Sequence, residues 1–134
     1  MTKTEEHRLI EQAKESIEQY RKLQLFIEHG LHEMLWIRDV IQNVQNNNHI
    51  KNKMKQRAIT QKAEIDQYTK ICEKILATIN KIENRAFQTV LKGIYIDNEK
   101  PVELAESMDL TLKEVHKIKE QALIEYIRGL EYAE

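Results

Sequence analysis

Polar side chains that could hydrogen-bond to nucleic-acid bases are concentrated in one stretch near the C-terminal end of the chain. They are Lys113, Glu114, His116, Lys117, Glu120 and Gln121. In the DNA major groove lysine donates to guanine, glutamine pairs with adenine, and a carboxylate accepts from the amino group of cytosine. Three further basic residues, Arg85, Lys92 and Lys100, could contact phosphates if they share one surface with this stretch. The stretch therefore predicts a nucleic-acid-binding surface.

A capped helix is expected to position these side chains. Thr111 and Glu114 have the spacing of a capping box, in which each side chain accepts a hydrogen bond from the other residue's backbone N–H. Thr111 is counted with the predicted binding residues because it opens this helix. Apolar residues then recur at helical spacing and predict a buried face: Val115, Ile118, Ala122, Leu123, Tyr126 and Ile127.

Two shorter helices are predicted ahead of it. The first covers about residues 84–95, with a buried face of Phe87, Val90, Leu91 and Ile94. Pro101 suits the first position of the second helix, where a backbone N–H would be unpaired anyway. The predicted buried side of this second helix comprises Val102, Leu104, Ala105 and Met108. Leu110 anchors the next turn, so residues 83–134 predict a three-helix domain of the helix-turn-helix type.

Residues 1–82 predict a long helical hairpin, and the whole chain is therefore predicted to be all-α. Alternating three- and four-residue steps predict a helix over about residues 4–46, capped by Thr4. Its apolar series predicts a packed seam and comprises Ile10, Ala13, Ile17, Tyr20, Ile27, Leu31 and Met34. A second apolar set predicts that a second face is also covered and comprises Leu35, Ile41 and Val44. The asparagine-rich residues 42–49 favour a turn.

The second helix of the hairpin is predicted over about residues 52–80. Its apolar repeat is the clearest in the chain: Ile65, Tyr68, Cys72, Ile75, Ile79 and Ile82. Two helices of this length joined by a short loop pack antiparallel, either within one chain or across a dimer. The hairpin is therefore a candidate for oligomerisation or for binding a partner.

Composition and charge restrict the class of protein. The chain has three glycines and one proline in 134 residues, which favours helix. No apolar run approaches the roughly 18 residues of a membrane span, and the N-terminus lacks the apolar core of a signal peptide. Cys72 is the single cysteine, so no disulfide framework is expected. These features predict a cytoplasmic protein.

The charge is unevenly distributed. Residues 1–82 carry 14 Lys and Arg against 11 Asp and Glu, whereas residues 83–134 carry 7 against 11. A basic stretch follows the predicted turn and comprises His49, Lys51, Lys53, Lys55 and Arg57. It fits either a solvated first turn of a helix or a tip that contacts phosphate or a partner.

Enzymatic and metal-binding motifs are lacking. His29 and His32 are the one histidine pair with short spacing, and a polar helix face around Gly30 explains them better than a metal site. No glycine-rich phosphate loop and no nucleophile motif occurs. We therefore predict a protein that is not an enzyme and that uses no metal or cofactor.

The segment from Tyr95 to Val115 resembles region 4 of the bacterial sigma-70 family, which contacts the upstream promoter element. The shared pattern is a Tyr, a short loop, Glu103-Leu104-Ala105, the turn Met108-Asp109-Leu110-Thr111 and a Val on the next helix. This sequence departs from the family at Asp109, where glycine is usual, and at His116 and Gln121, where basic residues are common. The resemblance covers about 50 residues, and residues 1–82 resemble no other sigma region.

A short helical chain with this single module also resembles the small RinA/ArpU-like late-gene activators of phages of Gram-positive bacteria. The resemblance implies a sequence-specific transcription regulator of a phage or mobile-element late promoter, acting in a bacterial cytoplasm. Its implied partner is double-stranded promoter DNA, with RNA polymerase, a regulatory protein and a second copy of the chain as further candidates. The alternative is a helical protein–protein adaptor that does not bind DNA, because small three-helix domains also dock proteins.

Overall fold

The computed structural model describes residues 1–132, and within them the chain forms helices and no strand. The all-α prediction is confirmed. The α-helices are α1 (Lys3–Ile17), α2 (Gln19–Asn43), α3 (Asn48–Asn80), α4 (Arg85–Leu91), α5 (Pro101–Ser107) and α6 (Leu112–Tyr132), with a π-helical segment (Lys92–Ile96) after α4. No helix in the described part of the chain combines the length and apolarity needed to cross a bilayer.

The first predicted helix is almost continuous. Glu18 alone separates α1 from α2, and it keeps helical dihedral angles, with φ −66° and ψ −19°. Thr2, and not Thr4, caps the start: its hydroxyl accepts a hydrogen bond from the Glu5 N–H at 3.1 Å. The prediction of the cap was wrong because α1 already begins at Lys3, so Thr4 lies inside the helix, whereas Thr2 has the extended backbone angles of a cap residue.

The second long helix begins earlier than predicted. The Asn47 side chain accepts a hydrogen bond from the Ile50 N–H at 3.1 Å, so α3 starts at Asn48 instead of near residue 52. The apolar repeat is buried as predicted at Ile65, Cys72, Ile75, Ile79 and Ile82, and half-buried at Tyr68. Burial raises the pKa of the Cys72 thiol, and a hydrogen bond with Gln24 partly offsets this shift.

The chain forms two compact units. The first comprises residues 1–21 and 73–134, and the second comprises residues 22–72. This division differs from the predicted boundary at residue 82, because α1 packs against α6 and so belongs with the C-terminal helices. Residues 133–134 of the predicted C-terminal domain lie outside the described residues.

The core of the first unit is built around α6, which packs against α1, α4 and α5. Its largest fully buried side chains are Ile17, Ile79, Val90, Leu91, Val115, Leu123 and Tyr126. Burying each such aliphatic or aromatic side chain contributes roughly 1.5–3 kcal/mol. The Tyr126 hydroxyl lies 2.8 Å from the Ser16 hydroxyl, so the one polar atom of this aromatic side chain is paired inside the core.

The second unit is a two-helix hairpin with a small interior. Its buried residues are Gly30, Ile37, Ile65 and Cys72. The two helices approach closely at Gly30, where a Cβ would lie 3.1 Å from the Ile65 Cδ1. The predicted burial of Leu31 and of Leu35 was wrong, since each side chain is 50% exposed. The α2 side that faces α3 carries Gly30 and Ile37, seven residues apart, and Leu31 lies about 100° around the helix from Gly30.

Candidate nucleic-acid interface

The turn between α3 and α4 is held by side-chain hydrogen bonds. Asn84 caps α4 by accepting from the Phe87 N–H at 3.2 Å. The Gln88 amide donates to the carbonyl of Ile82 and, at 3.2 Å, to that of Asn80, so it satisfies acceptors at the end of α3. These bonds set where α4 starts, and with it the position of Arg85, the first residue of this helix.

The π-helical segment leads directly into the turn before α5. The Asp97 N–H donates to the Lys92 carbonyl at 2.8 Å, and Asn98 then adopts a positive φ of 58°. The Asn98 side chain accepts a hydrogen bond from Arg21 at 2.6 Å. Burial, reinforced by the negative charges of Glu18 and Glu11, raises the pKa of the neighbouring Tyr95 to about 12. The hydrogen bond between Arg21 and Asn98 therefore ties the turn before α5 to the first turn of α2, within the first unit.

The turn between α5 and α6 is a Schellman motif. Asp109 adopts a left-handed conformation with φ 57°, and its N–H donates to the Glu106 carbonyl at 3.2 Å. The Leu110 N–H donates to the Ala105 carbonyl at 2.9 Å, which is the second bond of this motif. The usual residue at the left-handed position is glycine, but Asp tolerates it better than most residues do.

The turn is fixed from inside by a small apolar cluster. Its buried members are Val90, Leu104, Ala105 and Val115, with Ile94, Met108, Leu110 and Ile118 packed against them. Gly93 allows this packing, because a Cβ there would lie 3.1 Å from the Leu104 Cδ1. The predicted burial of Leu104 and Ala105 is confirmed, and Met108 is half-buried.

The capping box at the start of α6 is present as predicted. The Thr111 N–H donates to the Glu114 carboxylate at 3.1 Å, and the Glu114 N–H donates to the Thr111 hydroxyl at 3.1 Å. The hydrogen bond from the Thr111 backbone, and next that from its side chain, lower the pKa of Glu114. Glu114 is therefore engaged in capping, which limits its availability for a base contact.

The other predicted base-contacting residues lie along one exposed side of α6. We call them the α6 polar face: Lys113, His116, Lys117, Glu120 and Gln121, all of which are exposed. The opposite side of the helix is fully buried and carries Val115, Ala122 and Leu123. The three- and four-residue steps of the α6 polar face bring its side chains next to one another. The structure thus brings the two lysines of this set together.

The three basic residues predicted to contact phosphates lie on other segments. Arg85 begins α4, Lys92 begins the π-helical segment, and Lys100 precedes α5. Arg85 and Lys100 are exposed, and Lys92 is half-buried. None of these residues, and neither lysine of the α6 polar face, forms an ion pair with another described residue. Their charges are therefore not neutralised by described side chains.

Two apolar side chains are exposed in the first turns of α5 and α6. Val102 is 61% exposed, so its predicted burial was wrong; the inner side of α5 is occupied by Leu104 and Ala105. Leu112 is 43% exposed and was not among the predicted site residues. The sequence could have indicated that Leu112 is exposed, because it lies between the cap residue Thr111 and Val115, the first buried residue of α6.

The histidine pair on α2 and the basic stretch at the start of α3 form no metal site among the described residues. His29 and His32 are exposed on α2, and the described residues include no group of three metal-ligating side chains. In the basic stretch, Arg57 pairs with Glu33 and lies 5.8 Å from the centre of the Trp36 ring. Arg57 is thus held by its own hairpin, whereas Lys53 and Lys55 are exposed.

Fold and site together define an all-α protein in which two helices joined by a tight turn expose a polar helix face. Comparison with models of known protein families gave no match, and neither curated protein sequences nor solved structures gave one.

Proposed function

We propose that the chain is a sequence-specific DNA-binding transcription regulator whose α6 polar face enters the major groove. The observation that carries this proposal is a capped α6 whose exposed side holds Lys113, His116, Lys117, Glu120 and Gln121. These side chains can donate to or accept from base edges. Leu112, exposed beside them, suits an apolar contact with a thymine methyl group.

The electrostatic balance makes tight binding by one isolated module unfavourable. Residues 83–134 carry 7 basic against 11 acidic side chains, so non-specific attraction to phosphates is weak. Affinity must then come from base contacts together with a second binding event. A second copy of the chain or RNA polymerase would supply this by raising the effective concentration of the module at its site.

The resemblance to sigma region 4 supports a more specific role. We propose activation of a phage or mobile-element late promoter in the bacterial cytoplasm, with RNA polymerase as the protein partner. In this role the α6 polar face contacts the promoter while another surface contacts polymerase. Footprinting of the element's own promoters with and without polymerase tests this role, because an activator of this kind extends or strengthens the footprint of polymerase.

DNA binding itself is testable without knowledge of the target. The full chain is used to select duplexes from a random pool, and the enriched duplex is then titrated at several salt concentrations. We expect Lys113→Ala with Lys117→Ala to weaken binding at least about tenfold, because one good base contact contributes roughly 1–3 kcal/mol. Failure of any sequence to become enriched contradicts the proposal.

A matched control separates the α6 polar face from charge in general. Lys62→Ala with Lys70→Ala removes two exposed lysines from α3 and changes the net charge equally. We expect this variant to bind the enriched duplex within about twofold of the unchanged chain, as expected of surface changes outside the α6 polar face. Equal losses in both double variants would show that binding depends on charge and not on the α6 polar face.

A protein–protein adaptor is the second candidate, and the exposed Val102 and Leu112 favour it. Exposed apolar side chains in an acidic module are suited to docking another protein. In this case Val102→Glu abolishes binding to the partner protein, whereas Lys113→Ala with Lys117→Ala leaves it unchanged. The single variant Val102→Glu and the double lysine variant therefore distinguish the two candidate functions.

A further inference from the structure

The hairpin formed by residues 22–72 leaves apolar side chains on α2 in contact with solvent. Leu31 and Leu35 are each 50% exposed, while the buried residues of this unit number four: Gly30, Ile37, Ile65 and Cys72. Leu31 and Leu35 are four residues apart, so they lie together on one side of α2. A two-helix hairpin with so small an interior gains stability when a further surface covers such a pair.

The residues flanking the two leucines form a symmetric pattern. Glu28 lies three residues before Leu31, and Arg38 lies three residues after Leu35. The resulting steps of three, four and three keep all four side chains on one face of α2, and all four are exposed. We call this set the α2 stripe. Gln24 and Gln42 extend the symmetry by four residues at either end.

The α2 stripe is complementary to a second α2 stripe that runs in the opposite direction, because leucine then faces leucine and each charge faces its opposite. Two copies of α2 packed antiparallel about a twofold axis near residue 33 would place Leu31 opposite Leu35 of the other copy. The same register places Glu28 opposite Arg38, and the twofold axis repeats both pairs. An isologous interface requires this reciprocity, in which residue i contacts j and j contacts i. Parallel packing would instead set each charge against its like.

The charged members of the α2 stripe are available for such pairing. Glu28 forms no ion pair with a described residue, and Arg38 has a loose contact of 3.9 Å with Asp39, in which both side chains are more than half exposed. We propose that a second copy of this chain docks on the α2 stripe, antiparallel, to form a homodimer. Charge complementarity identifies the second copy as the occupant, since antiparallel packing places Glu28 of each copy opposite Arg38 of the other.

This inference concerns α2 alone and does not depend on DNA binding. Dimerisation is measured without nucleic acid, so its failure and the failure of the DNA-binding proposal are separate results. If both hold, each dimer carries two α6 polar faces, and two weak modules then act on one DNA molecule.

The test is sedimentation equilibrium of the full chain and of charge variants of the α2 stripe. We expect a dimer whose dissociation constant rises on the order of tenfold in Glu28→Arg and in Arg38→Glu, because each change replaces two attractive pairs by two repulsive ones. The double variant Glu28→Arg with Arg38→Glu restores opposite charges in the same register. We therefore expect it to regain most of the affinity.

Controls distinguish this interface from other effects. Glu64→Arg makes the same charge change at an exposed α3 position outside the α2 stripe, and should leave the dissociation constant unchanged. Leu35→Asp should abolish the dimer while circular dichroism shows retained helix content. A monomer at every concentration overturns the proposal. So does a dimer that is insensitive to the single charge reversals, or a double variant that remains as weak as the single ones.

Discussion

Tyr126 shows how one polar atom specifies the packing of the first unit. Its side chain is fully buried, and its hydroxyl lies 2.8 Å from that of Ser16, which is 110 residues away in the chain. Burial raises the pKa of Tyr126, and the hydrogen bond with Ser16 partly offsets the shift. An unpaired hydroxyl at this place would be costly, so the bond favours the one register in which α1 meets α6.

Removing either hydroxyl should destabilise the first unit. We expect Tyr126→Phe and Ser16→Ala each to lower the free energy of unfolding by about 1 kcal/mol, because each deletes the same hydrogen bond. The double variant should cost little more than one single variant. Urea unfolding measures all three, and additive losses would show that the two hydroxyls do not interact.

At the scale of elements, side-chain caps set the starts of α1, α3, α4 and α6. Thr2, Asn47, Asn84 and Thr111 each accept a hydrogen bond from a backbone N–H three residues later. Each cap satisfies a donor that the helix itself leaves unpaired. The start of α6 matters most for the proposed DNA binding, since it determines where the α6 polar face begins.

The capping box should make the stability of α6 depend on pH. The pKa of Glu114 is lowered in the folded chain, so the stabilisation is present above the pKa of an ordinary glutamate and is lost as the pH falls through the lowered value. We expect Glu114→Gln to be less stable than the unchanged chain near neutrality, and the difference to vanish in acid. Thermal unfolding across this pH range measures it.

Thr111→Ala is the companion variant for this test. It should cost about 1 kcal/mol at neutral pH, the usual loss when a capping hydroxyl is removed. In the Thr111→Ala background, Glu114→Gln should have a smaller effect, because the two side chains cap the same helix start. A Glu114→Gln effect that persists in acid would contradict the role of the carboxylate in capping.

At the scale of the whole molecule, the first unit is discontinuous in sequence. Residues 1–21 and 73–134 form it together, and α1 contributes the buried side chains of Leu9, Ala13 and Ile17 to its core. Leu and Ile each contribute roughly 1.5–3 kcal/mol when buried. Their sum is a large fraction of the 5–15 kcal/mol that typically stabilises a domain.

A fragment of residues 73–134 should therefore fold poorly by itself. We expect low helix content by circular dichroism and a broad thermal transition, and we expect a peptide of residues 1–21 to restore both when added in excess. A peptide in which Ile17 is replaced by Asp serves as the control and should restore neither. A fragment that unfolds cooperatively at the temperature of the full chain would show that α1 is dispensable.

The local features of this fold could be predicted from sequence because they depend on neighbours in the chain. The capping box of Thr111 and Glu114 and the apolar repeat from Ile65 to Ile82 both appear in the structure. Leu31 and Val102 were mispredicted, since a repeat indicates that a face is apolar but not which helix covers it. The role of the α6 polar face in DNA binding stays a prediction.

The sequence by itself determined the all-α class, the start of α6 and the polar set on α6, because hydrogen bonds and spacing within a few residues decide them. Only the tertiary structure decided that α1 packs against α6 and that Leu31 and Leu35 stay exposed. Those outcomes depend on which of several apolar helix faces pair. Such pairing is a competition between surfaces far apart in the chain, and no local pattern encodes its result.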